Sequence, residues 1–167
     1  MGAHFKNEGC STADALRAIV FACGYRERST LEIRNRLCDK GFDSHIIEEA
    51  ISKAVSFGYI NDQRFKESLI RMRMSQGKGI YGIRKELEQH GCGVCDDDYS
   101  LDQLSDFLEI SDSDELKRAI CFLQRKPPRA KNVLHASCSK LVRNGYSIDI
   151  ATKAAFDFVK QSSASQD

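Results

Sequence analysis

Three times along this chain a leucine stands four residues before a glycine: Leu37 before Gly41, Leu87 before Gly91 and Leu141 before Gly145. This recurrence restricts the fold more than any other feature. A glycine just past the last helical residue accepts the left-handed conformation that closes a helix, so each pair marks a helix end. Lys40, His90 and Asn144 precede the three glycines and suit a helix C-terminus. The first and third copies continue alike, Phe42-Asp43 with Ile46 and Ala50, then Tyr146-Ser147 with Ile150 and Ala154. Asp43 and Ser147 are placed to cap the next helix. In the middle copy the stretch is GCGVCDDDYS, and the helix after it is expected to start late, near Asp98 or Ser100.

Reading between these marks predicts helices near Thr12–Cys23, Ser29–Lys40, Asp43–Phe57, Asn61–Ser75, Gly79–His90, Ser100–Ile110, Ser113–Arg125, Pro128–Asn144 and Ser147–Gln161. Ser29 followed by Glu32 fits a capping box, and Ile46, Ile47, Ala50, Ile51, Ala54 and Val55 form an apolar stripe of helical period. No segment alternates as a strand does. The expected architecture is all-α: three tandem three-helix repeats, residues 1–57, 58–110 and 111–167, in an elongated, curved arrangement. Modules of about 50 residues bury little core alone, so neighbours are expected to stack.

The longest apolar runs, such as Ala18–Cys23, fall far short of the ~20 residues that span a bilayer. No leader is recognised, so a cytoplasmic location without membrane contact is expected. The seven cysteines read as reduced thiols. A formal net charge of +1 excludes a protein that coats DNA with its whole surface, yet the charge is zoned. Arg64 to His90 holds seven basic residues (Arg64, Lys66, Arg71, Arg73, Lys78, Arg84, Lys85) against Glu67, Glu86 and Glu88. Cys95 to Glu115 carries nine acids and no Lys or Arg, and Leu116 to Lys160 turns basic again. The acidic run reads as a solvated helix face with Leu101, Leu104, Phe107 and Leu108 inward. The candidate partner or DNA contacts are Arg71, Arg73, Lys78, Arg84 and Lys85, with Lys78 held outward between its glycines.

Gly77-Lys78-Gly79 is too short for a phosphate loop and lacks the following Ser/Thr, so it reads as a helix end and tight link. Asn61 and Asp62 can each cap the helix that carries Phe65, a core residue. His90, Cys92 and Cys95 have usable zinc spacing, but a fourth ligand would have to come from as far as His135 or Cys138; neither metal nor cofactor is expected. No His and acid stand at a spacing that would activate a Ser or Cys nucleophile, so no enzyme is expected.

GYINDQRF (Gly58–Phe65), RMRMSQGKG (Arg71–Gly79), IRKELEQHG (Ile83–Gly91) and RERSTLEIRNRLCDKGF (Arg26–Phe42) together resemble the RecX family of bacterial recombination regulators, and KLVRNGYSIDI (Lys140–Ile150) is similar to that family's closing helix-turn-helix. Ile80-Tyr81 depart from the family's usual proline after Gly-Lys-Gly, and the CGVCDDD spacer is unusual. The resemblance implies tandem three-helix repeats that bind the RecA recombinase filament and inhibit its ATP hydrolysis and strand exchange, by lying along the filament groove or blocking its growth. It implies a monomer with no active site. The competing reading is a DNA-binding helical module whose cations grip single- or double-stranded DNA.

Overall fold

The computed structural model describes residues 11–92 and 111–164. All the regular structure among them is helical, in the order α1 (Thr12–Cys23), α2 (Thr30–Asp39), α3 (Ser44–Ser56), α4 (Asp62–Ser75), α5 (Ile80–Gln89), α6 (Asp112–Arg125), α7 (Val133–Arg143) and α8 (Ile148–Ala164). The all-α class read from the helical period is the one observed. The expected helix at Ser100–Ile110, Cys10, Cys95 and the acidic residues between Asp96 and Glu109 lie outside the described residues, so the module division at 57 and 110 stands as a proposal.

The helix ends follow the glycine marks. Gly41, Gly91 and Gly145 have φ of 83, 67 and 90°. At the first and third, the residue after glycine donates its N–H back to the leucine carbonyl, Phe42 to Leu37 at 3.2 Å and Tyr146 to Leu141 at 3.2 Å. One short sequence therefore both closes a helix and buries the leucine beneath its own turn.

The helix starts are less uniform. Ser147 Oγ accepts from Ile150 N–H as expected, whereas Asp43 holds the N-cap position of α3 without a side-chain bond. At α2, Ser29 accepts from Glu32 N–H, but the Glu32 carboxylate turns to Arg26, so only half of the box forms. The complete box is at Ser11 and Asp14, opening α1. The helix predicted from Pro128 begins at Val133 instead, because Asn132 stays outside helical dihedrals and caps α7 through its side chain on His135 N–H.

The described residues pack as two compact units, 11–69 with 89–92, and 70–88 with 111–164. In the first unit α1 and α2 pack on α3. Ala15, Ile19 and Ala22 on α1 meet Ile33 and Leu37 on α2 and Ile47, Ala50, Ile51 and Ala54 on α3. Alanines alternate with isoleucines on α1 and α3, which lets these short helices approach closely. In the second unit α6 and α7 pack on α8 around Ala119, Leu123, Leu141, Tyr146, Ile150 and Ala154. Among the described residues, no helix is long and apolar enough to cross a membrane.

Candidate functional site

The Gly77-Lys78-Gly79 link is consumed by the fold. Gly77 N–H donates to Met74 O and Lys78 N–H to Arg73 O, closing α4; Gly79 N–H donates to Asn144 O at 3.1 Å. Ile80 N–H donates to Glu115 Oε1 at 3.0 Å. A phosphate cradle needs free amides aimed at a ligand, and these four are spent. The carbonyls are engaged too: Gly77 O accepts from Asn144 Nδ2 and Tyr146 Oη, and Lys78 O accepts from Arg118 Nη2 at 2.6 Å. Burial pushes the Tyr146 phenol up to about 12, so it stays a hydrogen-bond donor throughout the neutral range.

The Lys78 side chain is likewise held, which corrects the expectation that it projects outward. Its ammonium donates to Glu86 Oε2 at 2.5 Å, and the Arg73 guanidinium grips the same carboxylate. The cluster ties the last turn of α4 and its link to α5. The glutamate is 12% exposed, against 26% for Arg73 and 31% for Lys78. Hydrogen bonds from Arg73 foremost, with those from Lys78, hold the Glu86 carboxyl at about 2, from an ordinary 4.5, against the opposing effect of burial. A folded-state pKa below the unfolded one stabilises above pH 4.5, and that contribution fades as pH falls towards 2. Glu86→Gln is therefore expected to cost on the order of 3 kcal/mol at neutral pH. In urea denaturation the gap from wild type should close as the pH is lowered through 4 towards 2.

The other candidates divide. Arg84 makes an exposed pair with Glu88 one helical turn on, a weak tether that leaves it available to a partner. Arg71 on α4 and Lys85 on α5 are exposed, and among the described residues neither makes an ion pair. The fold thus keeps Arg73 and Lys78 for itself and leaves Arg71, Lys85 and the loosely held Arg84 outward. The arginines of the first unit are also largely engaged: Arg34 is bidentate on Glu48 at 2.7 and 3.0 Å, Arg26 and Arg28 meet Glu32, and Arg64 reaches Glu27. The near-zero net charge was the sequence signal of such pairing.

His90 and Cys92 have structural surroundings. His90 lies with Nδ1 3.4 Å from Glu32 Oε1 and its ring edge-on to Phe65. Cys92 is buried, and burial pushes its thiol up to about 11, which leaves it a neutral, weak metal ligand at physiological pH. His135 and Cys138 belong to the second unit. No group of three or more His, Cys, Asp and Glu is placed to hold a metal among the described residues.

Of the two caps proposed for α4, Asn61 serves, accepting from Arg64 N–H. Asp62 instead accepts from Thr30 N–H at 2.8 Å and so supports the first turn of α2. Sequence reasoning also passed over a row of exposed aromatics in the first unit. Phe21 and Tyr25 are 64 and 76% exposed, Phe57 and Tyr59 are 65 and 43% exposed, and each pair stacks edge to face. Phe21, Phe57 and Tyr59, with Leu16 and Arg17, line a groove of about 580 Å³. Four large aromatic side chains left in water are unusual for a small helical unit and mark a surface suited to contact. The signal in the sequence is their position: Tyr25, Phe57 and Tyr59 fall just beyond the ends of α1 and α3, outside any apolar stripe.

The described geometry thus offers helical surfaces with selected cations and aromatics outward. A family profile described as "RecX, first three-helix domain" matches residues 15–53. "Regulatory protein RecX" of Haemophilus influenzae strain PittGG is 33% identical over 114 residues, covering 68% of this chain and 71% of that protein. "Regulatory protein RecX" of Legionella pneumophila strain Corby is 39% identical over 66 residues, 40% of this chain and 44% of that protein. In three dimensions the crystal structure of RecX from Lactobacillus salivarius superposes with a TM-score of 0.67 at 21% identity, over 88% of this chain and 96% of that one, which shows a shared fold. With that helical fold and 33% identity over 114 residues that span 71% of a relative, this chain belongs to the RecX family of regulatory proteins.

Proposed function

We propose that this protein binds the filament that a RecA recombinase forms on DNA and inhibits its ATP hydrolysis and strand exchange, and so modulates DNA repair and recombination. The observation that carries the reading is the 114-residue match to regulatory proteins of the RecX family. The surface is consistent with it: a regulator that acts by contact needs outward side chains, and Arg71, Arg84 and Lys85 supply them in the second unit. A cytoplasmic location suits the same role.

The test is DNA-dependent ATP hydrolysis by the cognate RecA, with the protein added in stoichiometric excess. Hydrolysis is expected to fall, and an unchanged rate refutes the proposal. Arg71→Glu with Lys85→Glu is expected to weaken inhibition about tenfold, the scale of one or two lost charge contacts. Arg73 and Lys78 are poor probes, because an acid at either would face Glu86 and perturb the fold.

Direct DNA binding is the second reading, favoured by the same outward cations. Affinity for free DNA that falls steeply with salt while the filament gives no added affinity would select it, since phosphate neutralisation releases counterions.

A further inference from the structure

In the second unit, the turn that ends α4 and the face of α6 enclose a cleft of about 560 Å³. Its apolar part is Met74, Cys121 and Phe122; its charged part is Arg118, Arg125 and Lys126, and among the described residues no acidic one lines it. None of its cations is among the residues assigned above to the outward surface. Three cations lining one hollow repel each other and focus a positive field, which an anion seated there would relieve.

Arg118 adds a more specific observation. Its Nη2 is committed to Lys78 O, while its Nη1 is buried with no hydrogen-bond partner. A buried guanidinium donor left unsatisfied is costly and calls for an acceptor. Phe122 separates the two main kinds of anionic partner. Two ammonium groups, Lys126 Nζ at 5.9 Å and Lys140 Nζ at 5.8 Å, already sit against its ring. Gly77 packs against the same ring, so that a β-carbon there would meet Phe122 Cδ2 at 3.0 Å. A nucleic-acid base seeks an open aromatic face to stack on, and this ring does not offer one. A carboxylate beside an aliphatic or aromatic side chain asks for less: a cationic rim for the acid and a shallow apolar floor for its neighbour.

We propose that this cleft docks an acidic peptide segment of a protein partner, with carboxylates on Arg118, Arg125 and Lys126 and an adjacent apolar side chain against Met74 and Phe122. The site is independent of the filament reading, and its test needs no recombinase.

The probe is a fluorescein-labelled synthetic peptide alternating Asp/Glu with Leu/Phe, titrated with the full chain and followed by anisotropy. Its Asn/Gln counterpart and a labelled oligothymidylate serve as comparisons. The acidic peptide is expected to bind saturably and the amide peptide to bind at least about tenfold more weakly, as for the loss of paired charges. Arg125→Gln with Lys126→Gln, both exposed, is expected to weaken the acidic peptide by a similar factor. Arg143→Gln with Lys153→Gln removes the same charge outside the cleft, including one cation from a helix's last turn, and is expected to leave binding unchanged. Equal losses in both double variants would reduce the effect to net charge and overturn the proposal. So would an absence of peptide binding, or an oligothymidylate affinity with the same dependence on Arg125 and Lys126, which would assign the cleft to nucleic acid.

Discussion

Gly79→Ala is expected to disrupt the second unit, at a cost of about 4 kcal/mol or more, within the range reserved for backbone collisions in a packed interior. A β-carbon on Gly79 would lie 2.2 Å from Gly145 O and 2.4 Å from Tyr146 N, and one on Gly145 would lie 2.4 Å from Gly82 Cα. These neighbours are main-chain atoms that cannot rotate away. The collision can be relieved only by separating the start of α5 from the turn between α7 and α8. Four hydrogen bonds hold that junction: Gly79 N–H to Asn144 O, Gly82 N–H to Gly145 O, and Asn144 Nδ2 and Tyr146 Oη to Gly77 O. Gly58→Ala is the control for backbone strain without a collision. Its φ is positive, at 73°, where Gly79 needs no left-handed backbone, but nothing lies within 4 Å of its added carbon, so it should cost only the local penalty of about 1–2 kcal/mol. Urea denaturation of both variants checks the difference, and a Gly79→Ala protein as stable as Gly58→Ala would mean that the two backbones do not meet as described.

The same junction shows where the sequence stops being informative. The Leu-x-x-x-Gly marks announced the ends of α2, α5 and α7 because a helix stop is local chemistry, written within a few residues. Gly77-Lys78-Gly79 was correctly read as a helix end and link, but the need for glycine at 79 comes from residue 145, and no periodicity within α4 or α5 registers a neighbour so distant in the chain. The cations divide for a similar reason. Arg84 and Glu88 stand one turn apart, so their pairing is visible in the sequence. Arg73, Lys78 and Glu86 are brought together by the angle between two helices, which a residue pattern on either helix leaves undetermined. Asp62 looked like a cap for its own helix because that is the usual local use of such a residue, and its actual acceptance from Thr30 N–H is long-range. The family resemblance needed no such distant information, since it rests on ordered local motifs.

Ile80→Pro is expected to cost about 3–5 kcal/mol, even though proline is the residue that RecX-like sequences commonly carry after Gly-Lys-Gly and is well suited to the first position of a helix. That general preference rests on the first helical N–H being an unused donor. In this chain it is used. Ile80 N–H donates to Glu115 Oε1, and Glu115 is only 5% exposed. Proline removes the donor and leaves a buried carboxyl oxygen without its partner, a loss of about 2–3 kcal/mol. The smaller ring also gives up packing at a side chain that is 4% exposed, worth about 1–2 kcal/mol more. Ile80→Val keeps the donor and should lose only about 1 kcal/mol. The decisive measurement is a double-mutant cycle with Glu115→Ala, read by urea denaturation. If the N–H to carboxyl bond dominates, Ile80→Pro should cost markedly less in the Glu115→Ala background than in the wild type. Equal costs in both backgrounds would place the effect in side-chain packing alone. A neutral or stabilising Ile80→Pro would show that this helix start behaves as in proline-bearing relatives and that Glu115 does not depend on Ile80.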